Sequence, residues 1–310
     1  MPTMPHTNQV DPVPHGDWDP RIRLFVNAPL VQIAVVITAR YVVLVDTLIN
    51  PATAQSVMAA VEPECAGRQL LVVNTHADYD HAWGNQLFVG DAAPYPAPII
   101  AHRLCADILA DAETADYLRA AQSREPTIFG DVRLTPPTLL FDSELIIDGG
   151  DLTLHYFHTP GHTPDHISIY LPEIDTLLAG DAAELPFPFA DSPADLPRMR
   201  ASMARLASLH PARVLYCHAP NHLGAQLIHD NLAYFDRIEE ACRAALAAGL
   251  NADELSHEAL IAAVGCRFEE VTPAGGAWAD VDDETRIERH AEQLRDMLSW
   301  LQSGSSAPNP

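Results

Sequence analysis

Apolar residues in the first third of the chain come in short β-branched runs, at residues 23–27, 31–38, 41–46 and 69–73. Runs of this kind predict buried strands. Between the third and fourth, residues 51–61 predict a helix, so the order β–α–β points to a layered α/β fold. Residues 98–101 predict another short strand, and residues 103–122 place Leu104, Ile108, Leu109, Tyr117 and Leu118 at helical spacings. The pattern then changes to hairpins at 138–142, 145–147 and 152–157, with Asp148-Gly149-Gly150 as a turn, and a second β-rich half begins. Strands at 167–171, 176–179 and 213–217 follow, with helices at 198–209 and 223–248. Residues 185–196 carry Pro186, Pro188 and Pro193 with Phe187 and Phe189 between them, which excludes an ordinary helix; a lid over a substrate mouth and a hydrophobic plug are both open. Two amphipathic helices, at 252–264 and 285–302, are joined by the Gly-rich stretch 272–282. The expected organisation is an extended arm at 1–20, a main domain at 21–248, a helical extension at 249–303 and a disordered tail at 304–310.

Charge narrows the possible partners. The 310 residues hold 18 basic and 42 acidic side chains, a formal net charge of −24, and every basic side chain is Arg. Phosphate backbones and anionic membranes are repelled by such a chain, so nucleic acid and membrane are excluded as expected partners. A small-molecule substrate is left, with a homo-oligomer open. The five cysteines are widely spaced and form no Cys-x-x-Cys pair, which predicts reduced, mostly buried thiols. With no apolar leader in residues 1–20, the expected location is the cytoplasm.

Candidate chemistry is concentrated directly after the run 69–73. The stretch Asn74-Thr75-His76-Ala77-Asp78-Tyr79-Asp80-His81-Ala82-Trp83-Gly84-Asn85 packs His76, Asp78, Asp80 and His81 into six residues. It falls on a loop at the carboxyl end of a predicted strand, where open α/β sheets place their ligands. On a tight turn these imidazoles and carboxylates can converge on two cations; a polar turn with incidental histidines is the plainer reading. Later strand ends supply partners: His162 behind a Pro-Gly turn, Asp181 after Gly180, and His218 after the strand 213–217.

His76-x-Asp78-x-Asp80-His81 resembles the His-x-His-x-Asp-His signature of the metallo-β-lactamase superfamily, with Asp78 standing where that family usually has its second His. Thr75 before the motif and Gly84-Asn85 after it also fit, and the resemblance covers residues 21–248. It implies a four-layer αββα sandwich, to which the C-terminal helices are an extension. It also implies a ligand set: His76, Asp78 and His162 on a first metal, Asp80, His81 and His218 on a second, and Asp181 bridging. Asp46 would support the metal loop from beneath; His166, at the start of the strand 167–171, is either an orienting residue or one without a role, and whether it or His222 assists the metal site stays open.

The implied activity is that of a dinuclear hydrolase in the glyoxalase II-like or lactonase-like region, cleaving a small ester, thioester, lactone or amide with a metal-bound hydroxide. Metal binding drops the pKa of water from 15.7 to roughly 7, and Asp80 is the catalytic residue that orients the nucleophile and shuttles its proton. The expected cofactors are two divalent ions, zinc first; the harder carboxylate of Asp78 also admits manganese or iron. Two other readings stand beside this one. Asp78 also resembles the His-x-Glu-x-Asp-His pattern of diiron flavoprotein oxygen reductases, and a non-catalytic metal-binding protein could keep the same fold.

Overall fold

The computed structural model describes residues 6–219, 224–252 and 254–304. His222 and residues 305–310 of the expected tail lie outside them. The chain forms two compact units, Met1–Thr159 with Asp165–Gly180 and Ala212–Leu223, and Pro160–Pro164 with Asp181–Pro211 and Gly224–Pro310.

The first unit is built on two sheets. One has seven strands in the order β1 (Asp11–Val13), β2 (Ile22–Asn27), β3 (Val31–Ile37), β4 (Tyr41–Val45), β5 (Gln69–Val73), β6 (Ile99–His102) and β7 (Leu139–Phe141). The other has five, β8 (Glu144–Asp148), β9 (Thr153–His158), β10 (Ile167–Leu171), β11 (Thr176–Gly180) and β12 (Arg213–Tyr216), in the spatial order β12-β11-β10-β9-β8. β4, β5 and β6 run parallel, so β4 and β5 deliver their carboxyl ends to the same edge.

Continuous apolar runs form in β3 and β4 because these central strands of the first sheet are covered on both faces. In β3 and β4, Ala34, Val36, Val43 and Val45 point toward Leu154, Ile167, Ile169 and Leu178 of the second sheet. The alternate residues Ile33, Val35, Val42 and Leu44 pack under Ala54, Val57 and Met58 of α1 (Pro51–Val61). That helix starts on Asn50, whose side chain accepts from the Thr53 amide at 2.9 Å in a capping box. A third cluster joins Trp83 to α3 (Arg103–Ala110), α4 (Ala112–Arg124) and α5 (Pro126–Phe129), with the short α2 (Tyr79–Ala82) beside it.

Two local expectations change. The single helix anticipated over 103–122 is two, because Asp111 adopts an extended backbone and caps α4 with its own side chain. The run at 138–142 is not part of a hairpin with the next strand: β7 pairs parallel to β6 at the edge of the first sheet, and the chain then crosses to the second. His102, also noted in the sequence, caps α3.

The second unit is helical: α6 (Leu196–Ser208), α7 (Gln226–Ala247), α8 (His257–Val264), α9 (Phe268–Val271) and α10 (His290–Gln302). Its core includes His290, whose Nδ1 accepts from the Tyr234 hydroxyl at 2.8 Å while Nε2 donates to the Cys266 carbonyl at 2.8 Å. The expected α/β class is observed, with two sheets, flanking helices and helices at the C-terminal end. All five cysteines are unbridged and four are buried. Among the described residues no helix is long and apolar enough to cross a membrane.

Candidate metal centre

In the first unit the motif loop is held by the turn that ends β4. Asp46 and Leu48 both take left-handed backbone conformations, with φ of 68° and 60°, so the chain reverses tightly beneath residues 74–81. The Thr47 amide donates to the His81 carbonyl at 2.7 Å, and its hydroxyl donates to Asn85 Oδ1 at 3.0 Å. Asn74 and Asn85 exchange side-chain hydrogen bonds of 3.0 and 2.8 Å. Gly84 is required at its place, because a Cβ there would run into the Thr47 carbonyl oxygen.

Asp46, fully buried, collects three donors: the Thr75 amide at 2.7 Å on Oδ1, and the Thr75 hydroxyl at 2.8 Å and His81 Nδ1 at 2.9 Å on Oδ2. The expected supporting carboxylate is therefore in contact with the motif on both sides. The hydroxyl of Thr75, whose hydrogen is donated to Asp46, accepts from His76 Nδ1 at 3.0 Å. His218 Nδ1 lies 2.8 Å from the Leu30 carbonyl, and a carbonyl only accepts, so this nitrogen too carries its proton. With Nδ1 carrying a proton in His76, His81 and His218, the neutral form of each ring has its lone pair on Nε2.

Those Nε2 atoms face carboxylates. His81 Nε2 and His218 Nε2 lie 3.7 and 3.4 Å from Asp80 Oδ2, and His76 Nε2 lies 3.5 Å from Asp78 Oδ2. The rings of His76 and His81 are 4.1 Å apart between centroids. Asp80, His81 and His218 form one group whose donor atoms lie within 4.8 Å of one another. Asp78 is the exposed member, its side chain 47% accessible against 8% for Asp80.

His162 and Asp181 belong to the second unit, where they form a group with Glu184. His162 repeats the same pattern: Nδ1 donates to the Phe189 carbonyl at 3.1 Å, and Nε2 lies 3.7 Å from Asp181 Oδ2. Glu184 Oε1 is 3.6 Å from Nδ1 of the same ring. Glu184 is absent from the sequence-based ligand set; its place three residues after Asp181 was the available signal.

His166 is fully buried in the first unit, its Nδ1 2.8 Å from the Thr159 hydroxyl, and among the described residues it joins none of the metal-compatible groups. It shapes the loop instead. Gly180 has φ of 60°, and a Cβ on it would stand 2.5 Å from His166 Nε2.

Residues 24–218 match the family model described as the metallo-beta-lactamase superfamily. The chain belongs to that superfamily. Hydroxyacylglutathione hydrolases from two Pseudomonas aeruginosa strains are each 32% identical to it over 172 residues, which is 50% of this chain and 65% of theirs. The chain thus spans less than two thirds of the length of these curated relatives. Among solved structures, a metallo-beta-lactamase family protein from Thermus thermophilus superposes with a TM-score of 0.62 at 18% identity, covering 92% of this chain and 94% of that one. A metallo-beta-lactamase from Pontibacter korlensis gives 0.54 at 18% identity, covering 72% of this chain and 97% of its own. At such identities the structures establish the fold.

The donor set fits divalent cations. Its imidazoles have Nδ1 occupied by an acceptor and Nε2 turned to carboxylate, the arrangement that neighbours of a metal ligand impose on it.

Proposed function

We propose that this protein is a dinuclear metal-dependent hydrolase of a small ester, thioester, lactone or amide. Its ligands are His76, Asp78, Asp80, His81, His162, Asp181 and His218, and their order along the chain supports assigning them to one centre. The observation that carries the reading is one repeated ring orientation: four histidines from three separate loops all direct Nε2 at a carboxylate. A polar turn with incidental histidines has no reason to do this.

Bound divalent ions supply Lewis acidity and lower the pKa of water. Asp46 and the Leu30 and Phe189 carbonyls hold the imidazoles by their Nδ1–H groups, so no ring has to turn before binding. Asp80 Oδ2, close to both His81 and His218, is the atom that takes the proton of the attacking water and returns it to the leaving group. Zinc is the first candidate metal, and Asp78 makes manganese or iron competitive. A relative named for hydrolysing hydroxyacylglutathione makes thioesters the first substrates to try. The formal charge of −24 argues against nucleic acid and other polyanions.

The test is to purify the protein without chelator, quantify its metals by mass spectrometry, and screen thioesters, lactones, β-lactams and phosphodiesters. His81→Ala and Asp181→Ala should each lose bound metal and all hydrolysis while remaining folded. Full metal occupancy with wild-type turnover in either variant would overturn the ligand set, and a metal-loaded protein inert across the panel would favour the non-catalytic reading.

A further inference from the structure

Residues 181–189 of the second unit carry Asp181 and Glu184 without regular secondary structure, and Pro186 and Pro188 remove two of their backbone donors. Their main chain is nevertheless held by two buried carboxamides on different helices. Asn231 of α7, fully buried, accepts the Glu184 amide on Oδ1 at 3.1 Å and donates Nδ2 to the carbonyls of Glu184 at 3.0 Å and Pro186 at 2.7 Å. Gln293 of α10, equally buried, donates Nε2 to the Pro188 carbonyl at 3.0 Å. The next carbonyl along, that of Phe189, accepts from His162 Nδ1 at 3.1 Å.

Side chains reinforce the same path. Phe187 is buried and stacks on Tyr234 of α7 at 4.5 Å between centroids, which is the plug alternative for this residue. The Arg289 guanidinium, just before α10, lies 5.4 Å from the centre of the Phe189 ring. Gln293 Oε1 finds no hydrogen-bond partner among the described residues, so an apolar residue of similar size would fit this buried place at lower cost. What the glutamine supplies is the bond to Pro188.

We propose that Asn231 and Gln293 are positioning residues for the metal centre. By fixing the main chain of 184–188 they place the Phe189 carbonyl on His162 Nδ1, and that contact selects Nε2 as the atom His162 presents to a metal. This deepens the dinuclear reading above and rests on it. It also gives the C-terminal helix α10 a role in metal affinity that no ligand residue on that helix could provide.

The experiment uses the full-length protein stripped of metal, titrated with Zn2+ by calorimetry and with Co2+ by visible absorption, alongside urea unfolding of each metal-free variant. Gln293→Met keeps the volume and removes the donor. Asn231→Asp keeps the acceptor for the Glu184 amide and removes both donations. Leu298→Ala, a buried residue on α10 with no bond to the loop, controls for stability alone. Expected are a roughly ten-fold or greater weakening of one zinc equivalent and an altered cobalt spectrum in both positioning variants. Leu298→Ala should lower the urea midpoint and leave both affinities unchanged. Wild-type affinity for both equivalents in the two variants overturns the inference, as does equal weakening in Leu298→Ala. Should Gln293→Met fail to fold, Asn231→Asp decides by the same criterion. His162→Ala keeps the two levels apart: if it retains both zinc equivalents at wild-type affinity, the ligand assignment fails and the positioning role fails with it.

Discussion

Asp46 is the residue on which the motif loop depends, and replacing it separates two effects. In the metal-free protein Asp46→Ala leaves the Thr75 amide and His81 Nδ1–H buried without their acceptor. Each abandoned donor costs about 1–3 kcal/mol, so for the two a loss of about 2–6 kcal/mol is expected in urea unfolding with chelator present. Asp46→Asn is the sharper probe. One amide oxygen can still accept from the Thr75 amide, so about 1–2 kcal/mol of stability should go. Its NH2 group, however, now faces His81 Nδ1, and the ring must shift its proton to Nε2 to accept from it. Nε2 is the atom turned to Asp80. Asp46→Asn should therefore weaken metal binding by about 10–100-fold, measured by calorimetric competition with a chelator of known affinity. Wild-type affinity in Asp46→Asn, with the variant folded, would refute the tautomer argument.

Gly180→Ala forces a Cβ to within 2.5 Å of His166 Nε2 at a φ of 60°; a loss of about 2–4 kcal/mol is expected, with part of it recovered in a His166→Ala background, and equal losses in both backgrounds would exclude the contact as the cause. Burial of His290 between Tyr234 and Cys266 lowers its pKa below the ordinary 6.5. The unfolded chain then takes the proton first, so the stability this group contributes is complete above pH 6.5 and is lost as pH falls below it. Urea midpoints of the metal-free protein on either side of that pH should show the fall, and His290→Gln should reduce it. Asp78→His exchanges a carboxylate for a softer donor, so competition between Zn2+ and Mn2+ should move toward zinc; an unchanged ratio would place residue 78 outside the metal's coordination.

Local pattern alone determined a large part of this protein. The β-branched runs of β3 and β4, and the Val72-Val73 end of β5, are buried on both faces, so their composition announced them without reference to any neighbour. The cluster His76 to His81 was legible because four donor side chains directly after such a strand have few other uses, and Asp46 was legible through the family resemblance. Tertiary structure alone decided which sheet takes β7, since a turn after residue 141 looks the same whichever edge the strand before it joins. It alone revealed Asn231 and Gln293, which stand 45 and 105 residues from the carbonyls of Pro186 and Pro188 that they hold. The tautomer of each histidine belongs to the same class. Periodicity records which way a residue faces on its own strand or helix, whereas a hydrogen bond to a carbonyl on a distant loop leaves no mark on the local pattern and exists only once the chain has folded.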